Sequence, residues 1–122
     1  MAETITLFLC CDVMTGRCID QILPRPSGPD LHEPFVADAR EYVQLAEQVS
    51  GPVPRAVAPS YIWGDALAEW QRMAPVARIA NLETAVTRSS DYWPHKGIHY
   101  RMHPENVACL TAAGFDMPGL AG

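Results

Sequence analysis

The sequence predicts an α/β layered domain: a mixed or parallel sheet flanked by helices. Two short apolar runs, Thr4–Cys11 (TITLFLCC) and Val76–Leu82 (VARIANL), read as strands. Helical patterns lie between them and after the second, the element order of a layered α/β fold. The composition, 48% hydrophobic and 19% charged, is that of a globular chain. The 122 residues allow one domain, residues 1–122.

Thr4–Cys11 is β-branched and apolar, and predicts a strand buried on both faces. Asp12 follows at once, and the chain turns away at Thr15-Gly16. Residues 23–35 hold four prolines and a glycine, which exclude a regular helix or a central strand. Residues 50–60 form a second such loop. Loops of this length are binding segments or solvated connectors.

Between the loops, Val36, Ala39, Val43, Leu45 and Ala46 recur at helical spacing and predict a helix over 36–49, ended by Gly51-Pro52. Ala66, Leu67, Trp70 and Met73 predict a second helix over 65–73, its apolar stripe packed in the core and Pro75 stopping it. Val76–Leu82 ends at Glu83, so a carboxylate again sits where an apolar run stops. Residues 87–99 are polar and turn-rich. Pro104 suits a first helical position, and that helix runs to Gly114. A third strand is expected next, but Pro118 and Gly119 break the Phe115–Leu120 pattern. Two good strands make a marginal sheet with uncovered edges.

The net charge of −5 and pI near 5.2 argue against a nucleic-acid surface and against an anionic membrane. No apolar run approaches the ~20 residues that span a bilayer. Met1–Thr4 lacks the basic start of a signal peptide, so a cytoplasmic location is expected, with Cys10, Cys11, Cys18 and Cys109 as reduced thiols. Eight arginines against one lysine suit recognition of carboxylate or phosphate. Codon usage in a GC-rich genome gives the same bias, so composition assigns no site.

Asp12 and Glu83 each end a strand, and ligands of open α/β sheets bind at that edge. If the strands are parallel neighbours, the two carboxylates converge, as a hard divalent cation requires. His95, His99 and His103 recur every four residues, but Pro94, Gly97 and Pro104 exclude the helix that would align them for zinc. The cysteines lack metal-ligand spacing; Cys10 and Cys109 read as core, Cys11 as more exposed. Tyr92-Trp93-Pro94 either borders a cleft or caps the core.

Four motifs carry a family resemblance over residues 5–116. Cys11-Asp12-Val13-Met14-Thr15-Gly16-Arg17 resembles the Gly-Asp-Val-Met-x-Gly-Arg opening of the CapA (poly-γ-glutamate capsule synthesis) family. Trp63-Gly64-Asp65-Ala66-Leu67, Asn81-Leu82-Glu83-Thr84 and Tyr100-Arg101-Met102-His103-Pro104 with Asn106-Val107 resemble its later motifs, in the same order. The resemblance implies a calcineurin-like metallophosphatase fold. It implies metal ligation by Asp12 and Glu83, and substrate contacts from Arg17, Asn81 and Arg101. The implied metal is Mn²⁺ or Mg²⁺, weakly held, and the substrate is anionic or polyglutamate-related.

Two departures from the family follow. Cys11 replaces a glycine, and the chain reads Leu120-Ala121-Gly122 where the family continues to an Asn-His motif. The expectation is a truncated domain with an incomplete metal site, no assigned catalytic residue and no activity alone. A non-catalytic module that self-associates through an uncovered sheet edge is the alternative. A phosphoesterase completed by a partner is a third.

Overall fold

The computed structural model describes residues 2–120, with side chains through Asp116. Its main sheet has three parallel strands: β1 (Leu7–Val13), β2 (Ala77–Leu82) and β5 (Met117–Leu120), in the order β1-β2-β5. A minor parallel pair joins β3 (Ala85–Val86) to β4 (Arg101–Met102). The helices are α1 (Arg17–Ile22), α2 (Ala39–Ser50), α3 (Ala66–Met73) and α4 (Ala108–Ala113). The fold is therefore α/β with parallel pairing throughout its sheets.

Local chemistry sets most element ends. Asp38 caps α2, its carboxylate accepting from the Arg40 N–H at 2.8 Å, so the helix starts three residues later than periodicity indicates. Gly51 closes α2 at φ +83° and Gly114 closes α4 at φ +68°. Pro104 opens a single 3₁₀ turn, Pro104–Val107, which continues into α4. His103 precedes it, Nδ1 accepting from the Glu105 N–H at 3.1 Å. Helix α1 was not apparent in the sequence, because its six residues give too few turns for a period.

Three sequence expectations about the strands are corrected. β1 extends to Val13, so Asp12 lies inside the strand, beside a register irregularity between Leu9 and Asp12. β1 is not buried on both faces: Leu7 and Leu9 stay exposed, at 47% and 65%. Apolar composition sets a capacity for burial, but covering that face needs another layer, and none of the described residues provides it. The expected break at Pro118-Gly119 is a strand after all, pairing Ala80 with Pro118 and Asn81 with Gly119. β5 is an edge strand, where a missing proline N–H need not cost a ladder bond.

The core lies beneath the other side of the sheet. Ile22, Leu23, Val43, Val57, Leu82, Met102, Cys109 and Leu110 form one buried cluster, with Val13, Ile19 and Trp63 packed on it. Trp63 donates its indole N–H to the Cys109 carbonyl at 2.7 Å. Trp70 is buried as expected and meets Phe8 edge-on at 5.0 Å, but Met73 of the same stripe lies at the end of α3 and is 48% exposed, outside the core. Cys10 is half-buried and Cys109 fully so; Cys11 is exposed, and all four cysteines are free thiols.

Candidate functional site

The parallel pairing of β1 with β2 brings their C-terminal ends to one edge. Asp12 stands in register with Asn81, and Val13 with Leu82. The pleat sends Leu82 into the core and leaves Asp12 and Asn81 on the other side. There the Asn81 amide donates to Oδ1 of Asp12 at 2.7 Å. Glu83 is the next residue after β2; its N–H donates to the Val13 carbonyl at 3.0 Å and its side chain is exposed. A cavity of about 220 Å³ opens beside Asp12, lined by Met14, Thr15, Ile62 and Trp63 among others.

These groups are hard oxygen donors of the kind that Mg²⁺ and Mn²⁺ take. Among the described residues, no group of three or more His, Cys, Asp or Glu is arranged to hold a metal. The donor chemistry fits one edge of a cation site, and a full shell would need further oxygens.

The turn after β1 packs onto the other family-like segments. The Thr15 N–H donates to the Thr84 hydroxyl at 3.0 Å in the interior, tying the β1 turn to the end of β2. A Cβ on Gly16 would stand 2.9 Å from the Arg101 carbonyl oxygen, so glycine is required by close backbone approach. Arg17 follows at φ +49°, the left-handed region. Its Nε and Nη2 donate to one oxygen of Glu33, at 2.8 and 2.6 Å, and its guanidinium lies 4.6 Å from the Tyr100 ring centre. Burial works against the Arg17 charge, but the Glu33 hydrogen bond and charge more than offset it and hold the pKa above its ordinary value.

Arg101 is placed differently. Its Nη1 donates to the Ser89 carbonyl at 2.7 Å and its Nη2 to the Gly28 carbonyl at 3.1 Å. It faces a cleft of about 500 Å³, where His32 stacks on Tyr92 with centroids 3.6 Å apart. Tyr92 therefore borders a cleft. The structure brings Asp12, Asn81 and Glu83 to one strand edge; Arg17 and Arg101 line a separate cavity, together with Asp20 and Ser27.

Sequence reading missed the residue pair that organises these loops. Asp20 and Asn106 are buried, at 1% and 2% exposure. Asp20 accepts from the Ser27 N–H (2.6 Å), the His103 N–H (2.9 Å) and the Asn106 amide (2.8 Å). Asn106 in turn bonds both backbone groups of Arg25. Asn106 belongs to a recognised motif, but nothing in its spacing marks Asp20 as its partner 86 residues away.

Comparison with known proteins bears on the same residues. A family model described as bacterial capsule synthesis protein PGA_cap matches residues 6–122. Two curated proteins from two strains of Mycobacterium tuberculosis, each named a probable polyglutamine synthesis accessory protein, are 44% identical over 110 residues. The match covers 90% of this chain but 29% of each relative. No solved structure matches.

Proposed function

Because the chain belongs to the bacterial capsule synthesis protein PGA_cap family, we propose that it serves capsule or polyglutamate synthesis as part of a metallophosphatase-type domain. In this reading Asp12 and Glu83 offer carboxylate oxygens to a divalent cation, Mn²⁺ or Mg²⁺, and Asn81 holds Asp12 in position. The carrying observation is the 2.7 Å bond from Asn81 to Asp12 at the shared end of two parallel strands. A bound cation would supply charge to polarise an oxygen of an anionic substrate. Asn81 contacts that substrate at the corner, and Arg101, which lines a separate cavity, contacts a part of it that extends beyond the corner. Arg17, already paired with Glu33, contributes its remaining N–H groups.

Thermal unfolding against Mn²⁺ tests the reading. A cation held only by the native state at ten times its Kd stabilises by ~1.4 kcal/mol, a rise of several degrees in Tm. Asp12→Asn is expected to remove most of that rise. A parent protein whose Tm ignores Mn²⁺ at millimolar concentration ends the proposal.

The exposed apolar side of β1 favours a second reading, self-association through the sheet. Leu9 stands in register with Ile79, and both are exposed at 65% and 40%. Sedimentation across a concentration series decides it: a mass that stays monomeric throughout removes this reading.

A further inference from the structure

We propose that the cleft beside Arg101 is a binding site for one compact oxyanion group, a carboxylate or a phosphate. The inference rests on the preceding reading only in taking Arg101 to meet an anion; it needs no cation at Asp12. The cleft shares no lining residue with the cavity beside Asp12.

The state of the Arg101 guanidinium is the first support. Both of its recorded partners are neutral carbonyls, which orient a charge without cancelling it. Among the described residues no carboxylate lies within 4.0 Å of it, whereas Arg17 is paired with Glu33 at 2.6 Å. Two of its five N–H donors are used, and the rest suit a planar or tetrahedral oxyanion. Arg88 lines the same cleft; its ion pair, to Glu105, spans 3.7 Å.

An unsatisfied polar atom is the second, independent support. Adjoining the cleft is a cavity of about 50 Å³ that shares Arg101, His32, Ser90 and Tyr92 with it. Ser27 Oγ is buried without a hydrogen-bond partner and its residue lines that cavity, so its hydroxyl is free to donate to an oxyanion. Native interiors leave few such atoms unpaired, and one beside the Arg101 cleft marks a place for a polar guest. The stacked His32 and Tyr92 rings, with His99 edge-on to Tyr92 at 5.4 Å, form a wall that keeps this opening shaped.

Charge also limits the ligand. Asp30 lines both spaces, and Asp20 and Asp91 line the smaller one. An extended polyanion would meet them, so the group that fits is a single oxyanion, free or at the end of a larger molecule.

The test is an amide and imidazole NMR titration of the full chain in metal-free buffer, with glutarate in one arm and inorganic phosphate in the other. Saturable shifts at Gly28, Ser90, Tyr92 and the His99 ring are expected. Arg88→Gln and Arg101→Gln should each weaken binding about tenfold. Arg101 also ties two loops, so Arg88→Gln, which removes only an exposed side chain, separates binding from folding. Saturation by one probe alone identifies the group. Asp12→Asn should leave these shifts intact even where it abolishes the Mn²⁺ response, which separates this site from the cation corner. No saturable shift with either probe, or unchanged affinity in both arginine variants, overturns the proposal.

Discussion

Asn106 donates its side-chain amide to Oδ1 of Asp20 across 2.8 Å, and neither residue reaches solvent. This pair joins α1, the proline-rich loop and the segment after β4, because Asp20 also receives the Ser27 and His103 N–H groups. Truncating Asp20 to alanine strands three donors in the interior. We expect Asp20→Ala to destabilise by about 3 kcal/mol, and Asn106→Ala by about 2 kcal/mol. Asp20→Asn should also destabilise, since its NH₂ would face N–H donors. Urea unfolding of the two alanine variants and their double mutant measures this. Strict additivity would show that the two residues act separately.

Gly16 provides a steric prediction. Its missing Cβ leaves room for the Arg101 backbone, with contacts of 2.9 Å to O and 3.0 Å to N. Backbone cannot swing aside as a side chain can, so Gly16→Ala should cost about 2 kcal/mol. Gly97→Ala, where a Cβ meets nothing within 4 Å, should stay within about 0.5 kcal/mol. Equal midpoints for the two variants in one denaturant series would contradict the close approach.

The thiols should separate by burial. Desolvation pushes the Cys109 thiol up to about 11 from an ordinary 9.0, while Cys11 is exposed. At pH 8 only about 0.1% of a thiol with that pKa is thiolate. Iodoacetamide should therefore label Cys11 well before Cys109, as read by peptide mass spectrometry. The sign for stability follows from the raised folded value. The contribution of Cys109 is complete below pH 9 and is lost as pH rises through about 11, because the unfolded chain ionises first. Denaturant midpoints at pH 8 and 10.5 for the parent and Cys109→Ala check this: the parent should lose more on the alkaline side.

The cap of α2 gives an acid-side counterpart. The Arg40 side chain and then its backbone N–H hold the Asp38 carboxyl below its ordinary 3.8. A depressed folded value stabilises above the unfolded pKa and is lost as pH falls through the folded one. Carbon-detected titration should find Asp38 below 3.8, and Arg40→Ala should raise it. An unchanged Asp38 titration in that variant would show that the ion pair does not form in solution.

Local chemistry made much of the fold legible. The strand at Val76–Leu82, the helices α2 and α3, and the stops at Gly51 and Gly114 each depend on residues within a few positions of one another. Periodicity and turn chemistry therefore reach them. The candidate corner was legible for a different reason: Asp12 and Glu83 each close an apolar run, so parallel pairing alone suffices to bring them to one edge. Arg17 and Arg101 were legible as residues but not in their surroundings. One is answered by a carboxylate and the other by carbonyls, a distinction set by loops distant in sequence.

By itself, then, the sequence determined the α/β class, the positions of most elements and the family to which the chain belongs. These are encoded in short windows and ordered motifs. Only the tertiary structure decided that Pro118 lies on a tolerated sheet edge, that one face of β1 stays uncovered, and that Asp20 and Asn106 share one buried node. Each of these depends on what packs against a residue from far along the chain, and burial and hydrogen-bond satisfaction are properties of that packing and not of the residue.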